Sequence, residues 1–196
     1  MTDAIVLAAG KSTRFGAANK LLTNVYSKPL IFHVVNEICK SEINNIYVIS
    51  GSDHKKINQI LNKSRVKVIK NNNYNDGINS SISFGVKKLD KQSPSVMICL
   101  ADMPLLRTKD YNNILNFEKN KGDESSIIVP FYNGRRGNPV IFGCHFYNEL
   151  SLLKGDEGGK KLINKNKMNL VKFLSKSKGY FFDIDIQSDI LKLNSQ

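Results

Sequence analysis

The first residues in this sequence with types and spacing suited to chemistry form a small-residue loop that carries separated cations. Ala8-Ala9-Gly10 follows an apolar run, and Lys11, Arg14 and Lys20 come within the next ten positions. Small residues let the backbone approach a ligand closely, and separated cations contact several oxygens of a triphosphate at once. The pattern predicts a nucleoside triphosphate site, with an exposed basic loop as the alternative.

This loop follows neither of the two common glycine patterns for phosphate binding. A P-loop requires a glycine five residues before Gly10, and that position holds Ile5. The three glycines of the dinucleotide-binding fingerprint are missing as well. Phosphate contacts are therefore expected from the small-residue backbone and the separate cations.

An aspartate supplies the second kind of chemistry. Asp102 lies just past the apolar run 96–100, where a carboxylate at the end of a buried strand is well placed to bind Mg²⁺. Mg²⁺ usually takes one or two protein carboxylates together with phosphate oxygens of the substrate, and Asp185 is the candidate partner. Considered alone, residues 183–185 are better explained as an edge strand before a helix capped by Asp185 or Ser188.

Two further turns carry polar groups that could meet an anion. Arg135 and Arg136 lie in a glycine-bounded turn and could clamp a phosphate, although a hairpin with two solvated arginines is equally consistent. The segment 155–161 begins with Gly155-Asp156 and opens a predicted helix whose N-terminus would attract an anion. An ordinary N-cap is the commoner role for an aspartate such as Asp156.

The elements that must position these residues alternate between short Val- and Ile-rich runs and amphipathic stretches. We predict strands at 3–8, 46–50, 66–70, 95–100, 126–130 and 139–142, and helices at 29–40, 53–61, 79–89 and 109–119. Such alternation is typical of an α/β fold with a mostly parallel sheet. Ligands bind at the carboxyl ends of strands in such sheets, so these loops are expected to converge on one edge.

Length and hydropathy favour a single cytoplasmic domain. The 196 residues are enough for one full sheet covered by helices. No apolar run of 18 residues occurs, and the first strand starts too early for a signal sequence to precede it. Cys39, Cys99 and Cys144 are too widely separated for a zinc or redox motif and are expected to be small buried residues.

A formal net charge of +12 raises the question of nucleic-acid binding. The lysines, however, alternate with asparagines along the whole chain, as at 163–167, and no nucleic-acid motif collects them on one helix. We therefore expect no specific nucleic-acid partner and no membrane partner. The excess positive charge favours solubility and attracts phosphorylated ligands.

Taken in order, these motifs resemble the molybdenum cofactor cytidylyltransferases, which are MocA- and MobA-like NTP transferases. The resemblance rests on 7–10 with Ser12, Arg14, Gly16 and Lys20, on 28–30, on Gly77 with 80–82 and Gly85, on 100–104, on 134–142, on 155–159 and on 183–185. It covers essentially the whole chain. The fold it implies is a Rossmann-like three-layer αβα sandwich of the nucleotide-diphospho-sugar transferase type.

The resemblance also implies roles for particular residues in one domain spanning 1–196, with a nucleotide-binding half at about 1–105 and an acceptor-binding half at about 106–196. Nucleotide-binding roles fall on Leu7, Ala8, Ala9, Gly10, Lys11, Ser12, Arg14, Lys20, Gly77, Ser80, Ser81 and Ala101. Acceptor-binding roles fall on Arg135, Arg136, Gly137, Asn138, Pro139, Gly155, Asp156, Gly158 and Gly159. Catalysis falls on Arg14, Lys20 and Asp102, and Mg²⁺ binding on Asp102 and Asp185.

The implied reaction transfers CMP from CTP to the phosphate of a molybdopterin-type acceptor, with Mg²⁺ as cofactor and pyrophosphate as the second product. Ala9, where guanylyl-transferring relatives usually carry glycine, points to CTP. A molybdoenzyme or its maturation chaperone is the implied partner. The alternatives are transfer from GTP, a sugar-phosphate or alcohol-phosphate acceptor, and a carrier of nucleotide or cofactor without catalytic activity.

Three departures from the family pattern fall in the acceptor half. Asn138 stands where the family normally has histidine, and Gly159-Lys160 replaces Ala-Arg. Ile186-Gln187 replaces Thr-Pro after Asp185. Lysine is a point charge that lacks the forked donors of arginine, so the identity of the acceptor is the inference most affected.

Overall fold

A computed structural model of the chain describes residues 1–10, 12, 15, 19–90 and 92–194, without the side chains of 192 and 194. Its strands are β1 (Asp3–Ala8), β2 (Asn24–Val25), β3 (Lys28–Pro29), β4 (Ile46–Ser50), β5 (Lys67–Lys70), β6 (Ser95–Leu100), β7 (Ile127–Tyr132), β8 (Arg135–Arg136), β9 (Val140–Gly143) and β10 (Leu170–Leu174). Its α-helices are α1 (Leu30–Cys39), α2 (His54–Leu61), α3 (Ile78–Val86), α4 (Thr108–Lys121), α5 (Tyr147–Ser151), α6 (Lys160–Lys165) and α7 (Gln187–Asn194).

The main sheet is mixed, with parallel strands at its centre. Its order is β10-β7-β9-β6-β1-β4-β5, and β8 pairs with β7 outside this path. β1 runs parallel to both β4 and β6, with Ala8 opposite Ser50 and Leu7 opposite Leu100. Because these strands end level with one another, the loops that follow them leave from the same edge of the sheet.

Helices cover both faces of the sheet and give three layers. Along β1, Ala4 and Val6 point into a core packed by α1, α2, α4 and α7, whereas Ile5 and Leu7 point into a core packed by α3, α5 and α6. Alternate residues of a strand face opposite sides, and both sides of β1 are apolar because both are buried. This is the αβα sandwich of the nucleotide-diphospho-sugar transferase fold.

Most predicted elements are present within a few residues of their expected bounds, and the differences lie at the edges. β10 was not predicted because Leu170–Leu174 is a half-exposed edge strand interrupted by Lys172, which hides its period. The strand expected at 183–185 is wrong. Ile184 is fully buried there, and its N–H donates to the Asp102 carbonyl at 3.0 Å, but the segment forms no regular strand.

Of the three cysteines expected to be buried, one is fully buried. Cys99 is buried, while Cys39 and Cys144 are partly buried, and all three are free thiols. Within the described part of the chain, every helix is too short or too polar to cross a membrane.

Candidate functional site

A cavity of about 440 Å³ opens at the carboxyl edge of the parallel strands. The end of β1, the end of β6, the first turn of α3 and the C-terminal segment all contribute to its wall. Its lining residues are Leu7, Ala9, Gly10, Ser12, Lys20, Tyr74, Asn75, Gly77, Ile78, Ser81, Leu100, Asp102, Asp156 and Asp185. We refer to it as the first cavity.

Lys20 and Asp102 form an ion pair in the wall of the first cavity. The Lys20 ammonium lies 2.6 Å from Asp102 Oδ2 and donates to the Ile184 carbonyl, also at 2.6 Å. Asp185 Oδ1 is 3.7 Å from the same nitrogen. Lys20 begins a short 3₁₀ turn, and its N–H donates to Ser12 Oγ at 3.2 Å, so the loop after β1 holds the lysine in place.

Asp102 has unused acceptor capacity beside Lys20. Asp102 Oδ1 is buried and makes no hydrogen bond with the described residues. Desolvation, followed by the charges of Asp102 and Asp185, raises the pKa of Asp183, and the Lys20 charge opposes this shift. Among the residues with described positions, the site is thus a cluster of carboxylates around Lys20.

These carboxylates fit a divalent cation in one particular way. Among the residues with described positions, no three metal-ligating side chains converge as in an all-protein metal site. Asp102 has a buried oxygen without a described hydrogen bond, and Asp185 approaches the same lysine. Mg²⁺ commonly binds one or two protein carboxylates together with phosphate oxygens of the substrate, which fits this arrangement. The donor set therefore fits a metal that arrives with a phosphate ligand.

Polar side chains are fixed at the other end of the first cavity. Asn71 Nδ2 donates to Ser81 Oγ at 3.1 Å and to Ser80 Oγ at 3.0 Å. Ser80 Oγ lies 2.8 Å from the carbonyl oxygens of both Gly77 and Asn73, which share its single proton. The hydroxyl of Ser80 is consumed by this network, whereas Ser81 faces the cavity.

A second cavity of about 390 Å³ lies beside the first. Its wall is apolar near the sheet, where Ile82, Ile98, Val129, Val140, Phe142 and Ile163 lie. Its polar lining consists of Arg136, Asn138, Asp156, Glu157, Lys160, Asn164 and Asp183, and the remaining lining residues are Leu7, Ile78, Leu100, Gly137, Gly158 and Gly159. Leu7, Ile78, Leu100 and Asp156 line both cavities and form the partition between them.

The family model for the MobA-like NTP transferase domain matches residues 4–170. The chain belongs to this family. Its match ends before the C-terminal segment that supplies Asp183 and Asp185 to the two cavities. The family consists of NTP transferase domains.

Three known proteins illustrate the relationship. Adenosylcobinamide-phosphate guanylyltransferase from Methanocaldococcus jannaschii is 24% identical in an alignment 202 positions long. The alignment covers 90% of this chain and 99% of that protein. Bifunctional protein GlmU from Pediococcus pentosaceus is 25% identical over 152 residues, and the match spans 77% of this chain but only 31% of GlmU. Rv0371c from Mycobacterium tuberculosis, solved with manganese, has a TM-score of 0.79 at 18% identity and covers 100% of this chain and 98% of its own.

Within this MobA-like domain, most residues expected to bind nucleotide lie at the first cavity. Leu7, Ala9, Gly10, Ser12, Lys20, Gly77 and Ser81 line it, as do Asp102 and Asp185. Ala8 and Ala101 point into the hydrophobic core instead. The alternation of side chains along β1 explains Ala8, since its neighbours face the opposite layer. Lys11 and Arg14 lie outside the described residues.

The residues expected to bind the acceptor divide in the same way. Arg136, Gly137, Asn138, Asp156, Gly158 and Gly159 line the second cavity. Pro139 is buried, and Gly155 lines a separate polar cavity beside α3. Arg135 donates to the Phe181 carbonyl at 2.9 Å, whereas Arg136 donates to Asn164 Oδ1 at 2.8 Å.

These arginines lie in the β7–β8 hairpin that the sequence left as one alternative. Its turn residues Asn133 and Gly134 have φ angles of 47° and 76°, as the two central residues of a type I′ turn require. Both arginines are exposed. Only Arg136 lines the second cavity, because alternate strand positions face opposite sides of the sheet.

One capping expectation is wrong. Asp156 does not cap α6, whose N-terminus has no side-chain cap. Instead Asp156 Oδ1 accepts from the N–H of Ile78, the first residue of α3, at 3.0 Å. This contact joins residues 78 apart in sequence, which local capping patterns cannot reveal.

Several cavity residues were missed from the sequence. Tyr74 and Asn75 lie in the loop before α3, and Lys160 and Asn164 lie on α6. Tyr74 had a detectable signal, since an aromatic residue within a polar segment that ends in a glycine is suited to line a ligand site. A Cβ on Gly51 would lie 2.9 Å from the Tyr74 ring, so this ring packs directly on the backbone after β4.

Proposed function

We propose that the protein transfers the nucleoside monophosphate part of an NTP to the phosphate of a small acceptor and releases pyrophosphate. One observation carries this proposal. The Lys20–Asp102 pair, at 2.6 Å, lies in a cavity that shares four wall residues with a second cavity. A nucleotide in the first cavity and an acceptor in the second would have their reacting phosphates at a common boundary.

The reaction asks the protein for alignment and charge neutralisation. An oxygen of the acceptor phosphate forms a bond to the α-phosphorus, and the bond from that phosphorus to the bridging oxygen of the β-phosphate breaks. The acceptor phosphate is already an anion near neutral pH, so no general base is needed. Lys20 would neutralise the charge that moves to pyrophosphate, and the two adjacent cavities would hold the reactants in line. Arg14 is proposed to assist Lys20.

We also propose that a divalent metal, Mg²⁺, is the cofactor. Asp102 and Asp185 would hold it, and its double positive charge would offset the negative charge of the phosphates. The unbonded buried Oδ1 of Asp102 supports this role. So does the manganese complex of the structural neighbour Rv0371c, although that metal is a property of that protein.

For the donor we propose CTP. The base would lie at the end of the first cavity where Ser81 is fixed by Asn71 at 3.1 Å. A serine hydroxyl with a fixed partner presents one defined donor or acceptor to a base edge. Ala9, which also lines this cavity, makes the loop bulkier than the glycine usual in guanylyl-transferring relatives.

For the acceptor we propose a molybdopterin-type phosphate. The apolar floor of the second cavity suits a flat heterocyclic body, because the hydroxyls of a sugar phosphate would find no partners on Ile98 or Phe142. Arg136 and Lys160 at its rim suit a phosphate or another anionic group. A molybdoenzyme or its maturation chaperone would then receive the product.

A second candidate is transfer from GTP to a different phosphorylated acceptor. The M. jannaschii adenosylcobinamide-phosphate guanylyltransferase favours it, because the match spans nearly the whole of both chains. The GlmU match carries less weight, since this chain spans about a third of those relatives. Asn138 and Lys160, which depart from the cytidylyltransferase pattern, are also consistent with another acceptor.

The experiment that tests this function combines binding with product release. We expect CTP with Mg²⁺ to raise the thermal midpoint more than ATP, GTP or UTP do, because a ligand that binds only the native state stabilises it. With molybdopterin present, CTP should yield pyrophosphate. Asp102→Ala should lower this rate roughly 10²–10³-fold while the protein stays folded.

The control is Asp90→Ala, which removes an exposed carboxylate that accepts from the N–H of Gln92 and lines neither cavity. Its rate should equal that of the wild type. A larger shift with GTP would favour the second candidate. If CTP binds but releases no pyrophosphate with any phosphorylated acceptor present, the protein would be a carrier.

A further inference from the structure

We propose that Asp156 is a positioning residue that couples the two cavities by latching the first turn of α3 to the acceptor side of the site. The latch consists of residues 154–156. Asp156 Oδ1 accepts from the N–H of Ile78 at 3.0 Å, and the Gly155 carbonyl accepts from the N–H of Asn79 at 3.1 Å. The Lys154 carbonyl accepts from Asn79 Nδ2 at 2.8 Å.

These contacts occupy groups that α3 cannot satisfy by itself. The first N–H groups of a helix have no partner within the helix, and neither Gly77 nor the serines supply a side-chain cap here. A carboxylate at this position also suits the positive end of the helix dipole. The start of α3 is therefore defined by a segment that is distant in sequence.

The latch and α3 are packed without space between them. Gly77 has a φ of +90°, and a Cβ there would lie 2.3 Å from Asp156 Oδ1 and 2.6 Å from the Gly155 carbonyl. A side chain at position 77 would displace the latch. Glycine is needed for this close approach as well as for its backbone angle.

α3 presents side chains to both cavities from its first turns. Ser81 lines the first cavity, Ile82 lines the second, and Ile78 lines both. A shift of the first turn of α3 would move all three of these side chains together, since they belong to one rigid helix. Occupancy of the first cavity thus acts directly on the element that Asp156 holds.

On the other side, the latch continues into the wall of the second cavity. Residues 157–160 line that cavity, and α6 follows directly with Ile163 and Asn164. Gly155 and Gly158, with φ angles of +84° and +61°, make the two bends of this segment. Its path is set by the latch at one end and by α6 at the other.

It follows that nucleotide binding in the first cavity orders residues 157–163 before any acceptor arrives. This inference rests on the proposed nucleotide binding. Loss of the latch should weaken CTP binding only about fivefold, as expected for removal of a helix cap, but should uncouple the two cavities.

Amide hydrogen exchange tests the coupling with CTP and Mg²⁺ as the only added ligands. In the wild type we expect slower exchange at 7–10, of which Leu7, Ala9 and Gly10 line the first cavity, and also at 157–163. Asp156→Ala should keep the protection at 7–10 and lose it at 157–163. Asp156→Asn, which retains an acceptor oxygen for the Ile78 N–H, should restore most of it.

Asp90→Ala is the control, because it removes an exposed carboxylate that lines neither cavity and lies outside both measured segments. It should retain protection at both segments. Equal protection of 157–163 in the wild type and in Asp156→Ala would overturn the proposed latch. The latch would also be overturned if CTP protected 7–10 in the wild type but did not protect 157–163. No protection at 7–10 in the wild type would instead refute nucleotide binding, and the coupling with it.

Discussion

At the scale of single residues, Lys20 decides what the first cavity can bind. Its ammonium contacts Asp102 and the Ile184 carbonyl at 2.6 Å each, so this cation offsets part of the repulsion among the surrounding carboxylates. An incoming triphosphate offers the same lysine a larger negative charge. We expect Lys20 to turn partly toward the phosphates and to leave Asp102 available to a metal.

Lys20→Met tests this role while preserving most of the side-chain volume. We expect the affinity for CTP with Mg²⁺ to fall roughly 10- to 100-fold, since a hydrogen bond to a charged group contributes about 1.5–3 kcal/mol. Cytidine, which has no phosphates, should bind with little change. Titration calorimetry with both ligands measures the difference.

Lys28→Met is the matched control for Lys20→Met. Lys28 lies over the Phe32 ring, at 4.4 Å from its centroid, and does not line the first cavity. Its replacement should leave the affinity for CTP unchanged. Equal losses for CTP and cytidine in Lys20→Met would show that the lysine shapes the pocket rather than binding phosphate.

At the scale of elements, one arginine holds the connection that places β4 beside β1. Arg65 donates to the carbonyls of Cys39, Ser41, Ile43 and Asn44 at 2.8–3.0 Å, spanning the end of α1 and the turn before β4. Carbonyls at a helix end lack partners in the helix, and a forked guanidinium can bridge several of them. The parallel centre of the sheet depends on this connection.

Arg65→Ala should lower the free energy of unfolding by about 1–3 kcal/mol, because four carbonyls lose a charged donor. Arg65→Lys should recover little of this, since a lysine has no fork. Lys63→Ala, an exposed cation nearby, should be close to neutral. Urea denaturation measures the free energy of unfolding of all three variants. An unchanged value for Arg65→Ala would show that water replaces the arginine without loss of stability.

At the scale of the whole molecule, the site depends on three distant parts of the chain meeting at one sheet edge. Ala9 and Gly10 follow β1, Ala101 and Asp102 follow the neighbouring β6, and Ile184 reaches the same edge from the C-terminus. The side chain of Ile184 is fully buried, its N–H donates to Asp102, and its carbonyl accepts from Lys20. The C-terminal segment thus contributes both to the hydrophobic core and to the site.

Ile184→Ala and Ile190→Ala separate these two contributions. Each removes a buried isoleucine of the C-terminal segment and should lower the free energy of unfolding by about 2–4 kcal/mol. Only Ile184→Ala should also weaken CTP binding, because a cavity beside Asp102 and Lys20 lets their backbone partner shift. Denaturant midpoints and calorimetric affinities, compared for the two variants, check this; equal affinities would contradict it.

Several features could be predicted from the sequence because their causes are local. The apolar run at 3–8 and the small residues after it indicate a buried strand and a tight loop, whatever the rest of the chain does. Asp102 was found because a carboxylate just past a central strand must lie at the sheet edge. The half-exposed strand β10 was not predicted, since an edge strand needs no clear apolar period.

The sequence by itself determined the α/β class, the central parallel strands and the position of the edge where the site lies, because these follow from side-chain period and chain direction. Only the tertiary structure decided that Asp156 caps α3 rather than α6, that Arg135 contacts Phe181, and that Ile184 ties Lys20 to Asp102. Those contacts join residues from 46 to 164 positions apart. Which distant groups satisfy a helix end or a buried charge depends on the packing of the whole chain.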